Sequence, residues 1–161
     1  MAGICNEIRN IVSEALTDCL SLSKTYNTAQ DVIEDLKTQN SFVHSKFRSS
    51  IAKGIAKYML RRFGQTIRNI RLYGSVMEFR AGKYSDIDMI VRVEKLDDEL
   101  VDNLKSIDRL LSKEYFRLIG EDCGNYFYFI DIKIIDDDPG KQVHPARAYL
   151  EYIMANDSVA V

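Results

Sequence analysis

Apolar residues recur at helical spacing through the first part of the chain. Ile4, Ile8, Ile11, Val12, Ala15, Leu16, Cys19 and Leu20 form one stripe. Val43, Phe47, Ile51, Ile55, Tyr58 and Met59 form another, on a helix ending near Gly64 that Ser41 is expected to cap. Between them, residues 28–39 read as a shorter helix, with Asn27 or Thr28 as cap and Asp31 in the first turn. After Gly64 the period shortens. Ile67, Ile70 and Leu72 predict a strand over 67–73, and Ile87, Met89, Ile90 and Val91 predict a second over 86–93. Leu100, Leu104, Ile107, Leu110 and Leu111 return to helix over 96–115, and Phe116 to Ile119 is a candidate short strand. A turn at 121–125 leads into YFYFIDIKII, the strongest strand pattern in the chain, which Asp138-Pro139-Gly140 breaks. Pro145 suits the first turn of a closing helix to about Asn156. This order predicts an α+β fold: a small mixed β-sheet of about three to five strands flanked by helices, with a helical N-terminal segment. One domain is expected over residues 1–161, with 1–40 as a helical extension and 41–161 as the core that carries chemistry.

Composition changes this picture little. Hydrophobic residues make up 46% and charged residues 29%, an ordinary soluble globular balance. No stretch approaches the roughly 18 apolar residues needed to span a bilayer, so no membrane association is expected. The opening MAGICNEIRN lacks the pattern of a secretion signal. Cys5, Cys19 and Cys123 are odd in number and widely spaced, which fits inert thiols in a reducing cytoplasm better than a disulfide framework or a zinc site.

Charge distribution adds more. Residues 1–40 hold three Lys/Arg against six Asp/Glu, and residues 86–161 hold nine against seventeen. Residues 41–85 hold ten basic residues against one acid, Glu78. Lys53, Lys57 and Arg61 are expected on the solvated face of their helix. Arg80 and Lys83 lie where they can meet an anionic ligand. His44 and His144 are expected in surface or capping roles.

The chemistry lies in YGSVMEFRAGKYSDIDMIV, residues 73–91. Side chains alternate along a strand, so Asp86, Asp88 and Ile90 share one face while Ile87, Met89 and Val91 turn into the core. Two carboxylates in an apolar strand are costly without a cationic partner. A third acid, Asp131, lies inside the long downstream strand, on a face with Phe129, Lys133 and Ile135. If the strands are neighbours, three carboxylates converge and repel, and a divalent cation removes the objection. Oxygen-only ligands favour Mg²⁺ or Mn²⁺ over zinc. Gly74-Ser75, between a strand and a short helix, offers backbone N–H groups and a hydroxyl suited to phosphate oxygens.

Gly74-Ser75, ten intervening residues, and then Asp86-Ile87-Asp88 preceded by Ser85 resemble the signature of the DNA polymerase β nucleotidyltransferase superfamily, with Asp131 matching the third carboxylate of that family. The likeness is to its small, minimal-type members. It implies that Asp86, Asp88 and Asp131 hold two Mg²⁺ or Mn²⁺ ions and are catalytic, and that Gly74 and Ser75 bind the triphosphate of an NTP such as ATP, with help from Arg80 and Lys83. The implied reaction transfers a nucleoside monophosphate to an acceptor hydroxyl on a partner protein, a small molecule or an RNA end, with Asp131 accepting the hydroxyl proton. An alternative is a partner-binding or antitoxin-like module of the same fold, which modifies or only binds a partner protein, a helical protein being one candidate. The long helical N-terminal segment supports it, as does Val76, where small bacterial members commonly carry Arg.

Overall fold

A computed structural model of the chain describes residues 2–122, 124 and 128–161. Three helices come first: α1 (Ala2–Cys19), α2 (Ala29–Leu36) and α3 (Ser41–Phe63), with a single 3₁₀ turn over Leu20–Leu22. Short polar side chains set the starts of α2 and α3. The Asp31 carboxylate accepts from the N–H groups of Asn27 and Thr28 at 2.7 and 2.9 Å, in the first turn of α2. Asn40, rather than Ser41, caps α3, its Oδ1 accepting from Phe42 and Val43. Ser41 is already helical, so its side chain lies one position too late for that job.

A four-stranded sheet follows, in the order β3-β2-β1-β4. Strands β1 (Ile67–Tyr73) and β2 (Ile87–Val93) run antiparallel, joined by a connection that opens with the one-turn helix α4 (Gly74–Met77). Strand β3 (Ile130–Asp136) lies parallel to β2, a pairing that requires a crossover, and α5 (Asp98–Ile119) supplies it. Helix α6 (Arg147–Asn156) leads to β4 (Val159–Ala160), which pairs with β1. The result is the expected α+β architecture with a mixed sheet.

Three local expectations need correction. Phe116 to Ile119 is the last turn of α5, because Tyr115, Phe116 and Ile119 extend the buried stripe from Leu111. Gly120, at φ +71°, ends that helix in the left-handed conformation glycine tolerates. The long strand begins at Ile130; Tyr128 is exposed and Phe129 packs in the main core, its ring tilted at 41° to that of Tyr115, off the face of Asp131. Tyr126, Phe127 and part of the expected turn at 121–125 lie outside the described residues. Pro145 stands just ahead of α6, and the short strand β4 has no counterpart in the periodicity.

The two faces of the sheet are covered unequally. One face, with Ile87, Met89, Val91 and Ile130, shares a core with α1, α2, α3 and α5, so residues 1–40 and 41–161 are built into the same apolar cluster. The other face is covered by α6, through Ile90, Ile135, Leu150, Ile153 and Met154. Among the described residues no helix is long and apolar enough to cross a membrane.

Candidate metal and phosphate site

Beyond the reach of the small α6 cluster, the second face of β2 and β3 carries the acids. The parallel register sets Asp88 beside Asp131, and Asp86 precedes β2 by one residue on the same face. One carboxylate oxygen from each lies within 4.8 Å of the other two, and each side chain is half-buried. Period-two alternation on two adjacent strands is sufficient to build this cluster.

The electrostatics follow from the convergence. Burial, then Asp86 and Asp131, push the Asp88 carboxyl up to about 6. Asp86 is raised as well, by burial first and then by Asp131. Tyr73, whose partner across the β1–β2 ladder is Asp88, is pushed up to about 12 by burial and by the three acids. The cation that touches the cluster is Lys133, whose Nζ lies 3.0 Å from Asp131 Oδ1, two residues along the same strand.

A fourth carboxylate stands behind the cluster. Asp108 on α5 accepts from the N–H groups of Phe129 and Ile130, both at 3.0 Å, and so fixes where β3 starts. Its carboxyl is raised by burial, with the charges of Asp131 and Asp86 adding to the effect. The sequence reading passed over it. The signal was available, because Asp108 interrupts the inward stripe of α5 four residues after Leu104. It also lines a pocket of about 280 Å³, together with Asp131, Leu104, Lys105, Ile130 and Ile132.

Gly74 is required here on two counts. Its φ is +75°, and a Cβ at this position would sit 2.4 Å from Asp88 Oδ2. The turn therefore lies against the acid cluster with nothing between them. Ser75 follows it, half-buried, its carbonyl accepting from the Arg80 N–H at 2.8 Å. Val76 is buried in the main core.

The remaining expected residues are engaged elsewhere. Arg80 is exposed and its guanidinium is held by Glu78, with Nε donating to Oε2 at 2.7 Å. The Lys83 ammonium pairs with Glu121, which also accepts from the Tyr84 hydroxyl at 2.8 Å. Lys53, Lys57 and Arg61 are solvent-exposed as expected. His144 lies on the surface as expected, and its Nδ1 accepts from the Ala146 N–H at 3.0 Å, just before α6. His44 does not lie on the surface. It is fully buried, with Nε2 2.7 Å from the Thr38 carbonyl, and burial holds its pKa below the usual value.

Comparison with family models, with curated proteins and with solved structures finds no match to this chain.

Proposed function

We propose that the chain is a metal-dependent nucleotidyltransferase, which transfers a nucleoside monophosphate from an NTP to an acceptor hydroxyl and releases pyrophosphate. The observation that carries this reading is the convergence of Asp86, Asp88 and Asp131 beside a glycine turn that approaches Asp88 too closely to admit a Cβ.

The donor set fits a hard divalent cation. Three carboxylates offer only oxygen, the ligand preferred by Mg²⁺ and Mn²⁺, and Lys133 alone bonds to the cluster as a counter-charge among the described residues. Asp86, Asp88 and Asp131 would hold the metal. When bound, Mg²⁺ or Mn²⁺ supplies positive charge to phosphate oxygens and acidifies an acceptor hydroxyl. The chain supplies the rest. Gly74 lets the turn come close to the triphosphate, and the Ser75 hydroxyl can donate to a phosphate oxygen. Asp131, on the edge strand, would accept the proton of the acceptor hydroxyl. Arg80 and Lys83 would reach phosphate only after leaving Glu78 and Glu121.

The test is label transfer. The protein is incubated with each of the four NTPs, radiolabelled at the α-phosphate, with Mg²⁺ and a cell extract, and the labelled acceptor is isolated. Asp131→Asn should retain NTP binding, because Asp86, Asp88 and the turn remain. Transfer should fall by orders of magnitude, the pattern of an interaction made mainly in the transition state. Wild-type protein that labels nothing with any NTP, in any extract fraction, would contradict the enzyme reading and leave a binding module.

A further inference from the structure

Helix α3 carries a charged side chain in the middle of the core. Arg48 is fully buried, and its guanidinium carbon lies 4.9 and 5.0 Å from the ring centroids of Tyr115 and Phe129. An arginine in such a place is destabilising unless its donors are met. They are met by the connection that leads into the acid cluster. Nε donates to the Ser85 carbonyl at 2.8 Å, and Nη2 donates to the Lys83 carbonyl at 2.9 Å. Nη1 donates to His44 Nδ1 at 3.2 Å, which assigns the imidazole proton to Nε2, facing the Thr38 carbonyl. All these partners are neutral, and no ion pair engages Arg48 among the described residues. Its charge is felt by Asp86 through space.

We infer that Arg48 is a positioning residue for the acid cluster: its fork clamps the carbonyls of Lys83 and Ser85, fixing where Asp86 presents its carboxylate. This inference rests on the metal-site reading above and deepens it.

The geometry is direct. The Ser85 carbonyl belongs to the peptide that joins Ser85 to Asp86, so a bond to that oxygen holds the whole planar unit, including the Asp86 Cα. On the other side of Asp86, the Ile87 N–H donates to the Phe129 carbonyl at 2.8 Å. Asp86 is thus fixed from both sides, by α3 and by the chain entering β3. A similarly bulky apolar side chain would fill the same space at lower desolvation cost. It would leave the Ser85 carbonyl without its donor and the Lys83 carbonyl with the Tyr115 hydroxyl alone.

The probe is Mn²⁺ alone, titrated by its paramagnetic resonance signal at one pH, with melting temperature and circular dichroism recorded on the same samples. Arg48→Met keeps bulk but removes fork and charge. It is expected to bind Mn²⁺ about 10–100-fold more weakly than wild type, the scale seen when residues that orient metal ligands are lost. Arg48→Lys retains the charge without the fork and is expected to fall between the two. Tyr115→Phe removes a neighbouring tie to the same connection, the Tyr115 hydroxyl donating to the Lys83 carbonyl at 2.5 Å. It is expected to lower the melting temperature and leave Mn²⁺ affinity unchanged. A folded Arg48→Met protein with wild-type Mn²⁺ affinity overturns the role. If that variant does not fold, a folded Arg48→Lys protein with wild-type affinity overturns it instead. Equal weakening in Tyr115→Phe also overturns it, since any anchor of the connection would then serve. Wild-type protein that takes up no Mn²⁺ overturns the metal site itself, and the role of Arg48 with it.

Discussion

One face of β2 carries Asp88, Ile90 and Arg92 in succession, and its two ends handle charge in opposite ways. At the Arg92 end, Asp137 is surrounded by cations. Arg92 donates to both of its carboxylate oxygens at 2.7 and 2.9 Å, Arg147 donates at 2.7 Å, and Arg68 lies 3.5 Å away. The Asp137 carboxyl is held below the usual range, chiefly by the Arg92 hydrogen bonds. At the Asp88 end, three carboxylates meet one lysine, and Asp88 is pushed up to about 6. The Arg92 end fastens α6 to the sheet without help from outside. The Asp88 end holds repulsion that Lys133 meets only at Asp131.

Disturbing the glycine turn should have the largest effect on this contrast. Gly74→Ala forces a Cβ against Asp88 Oδ2 and places a side chain at a φ of +75°. The expected loss of stability is roughly 1–3 kcal/mol, with loss of any Mg²⁺- and NTP-dependent stabilisation, read by thermal melts with and without ligand. Wild-type stability with full ligand response would detach the turn from the acids.

Asp137→Ala acts on the other end. It leaves Arg92, Arg147 and Arg68 without their shared anion, and melting should fall by roughly 3–5 °C. The ligand-dependent shift should survive intact, because α6 is released at a distance from the acids. If that shift disappears too, the two ends are not separate devices.

The smallest effect is a pH dependence. Asp88 titrates near 6 in the folded chain and near 4 when unfolded. Between those values the folded state holds a proton that the unfolded state has lost. The stability Asp88 contributes is therefore complete below about pH 4 and is lost as pH rises through about 6. In metal-free protein, Asp88→Asn should remove that decline and add on the order of 1 kcal/mol at pH 7, after allowing for solvent screening. Denaturant melts at pH 4.5 and pH 7 measure it; an Asp88→Asn protein less stable than wild type at pH 7 would mean the acids are not in conflict.

What was legible in the sequence depended on how local its cause was. The bounds of β1 match the expected 67–73, and the shared face of Asp86, Asp88 and Asp131 follows from period-two alternation on strands whose apolar residues already fixed their orientation. Phe116 to Ile119 misled because aromatic and branched residues suit strands, and only their spacing from Leu111 marks them as helical. Phe129 departs from alternation because Tyr115 and Arg48 draw it into the main core ahead of the strand. Strand β4 rests on two residues that borrow their order from β1. Arg48 was one of the ten basic residues of 41–85 with no role of its own, since its partners, the carbonyls of Lys83 and Ser85, are distant in sequence and have no side-chain signature. Alternation also sets Lys133 on the face of Asp131 at a spacing of two, and the ion pair between them follows from that placement.

The central claim is that Asp86, Asp88 and Asp131 form a metal–nucleotide site. Its most direct measurement is the melting temperature of the wild-type protein and of Asp86→Asn/Asp88→Asn, each alone, with Mg²⁺, and with Mg²⁺ plus each NTP. The account predicts a rise in wild type with Mg²⁺ and at least one NTP, because a ligand that binds only the folded state stabilises it. It predicts no rise in the double variant, whose metal-free form should melt at or above wild type. An undiminished nucleotide-dependent rise in the double variant would contradict the claim.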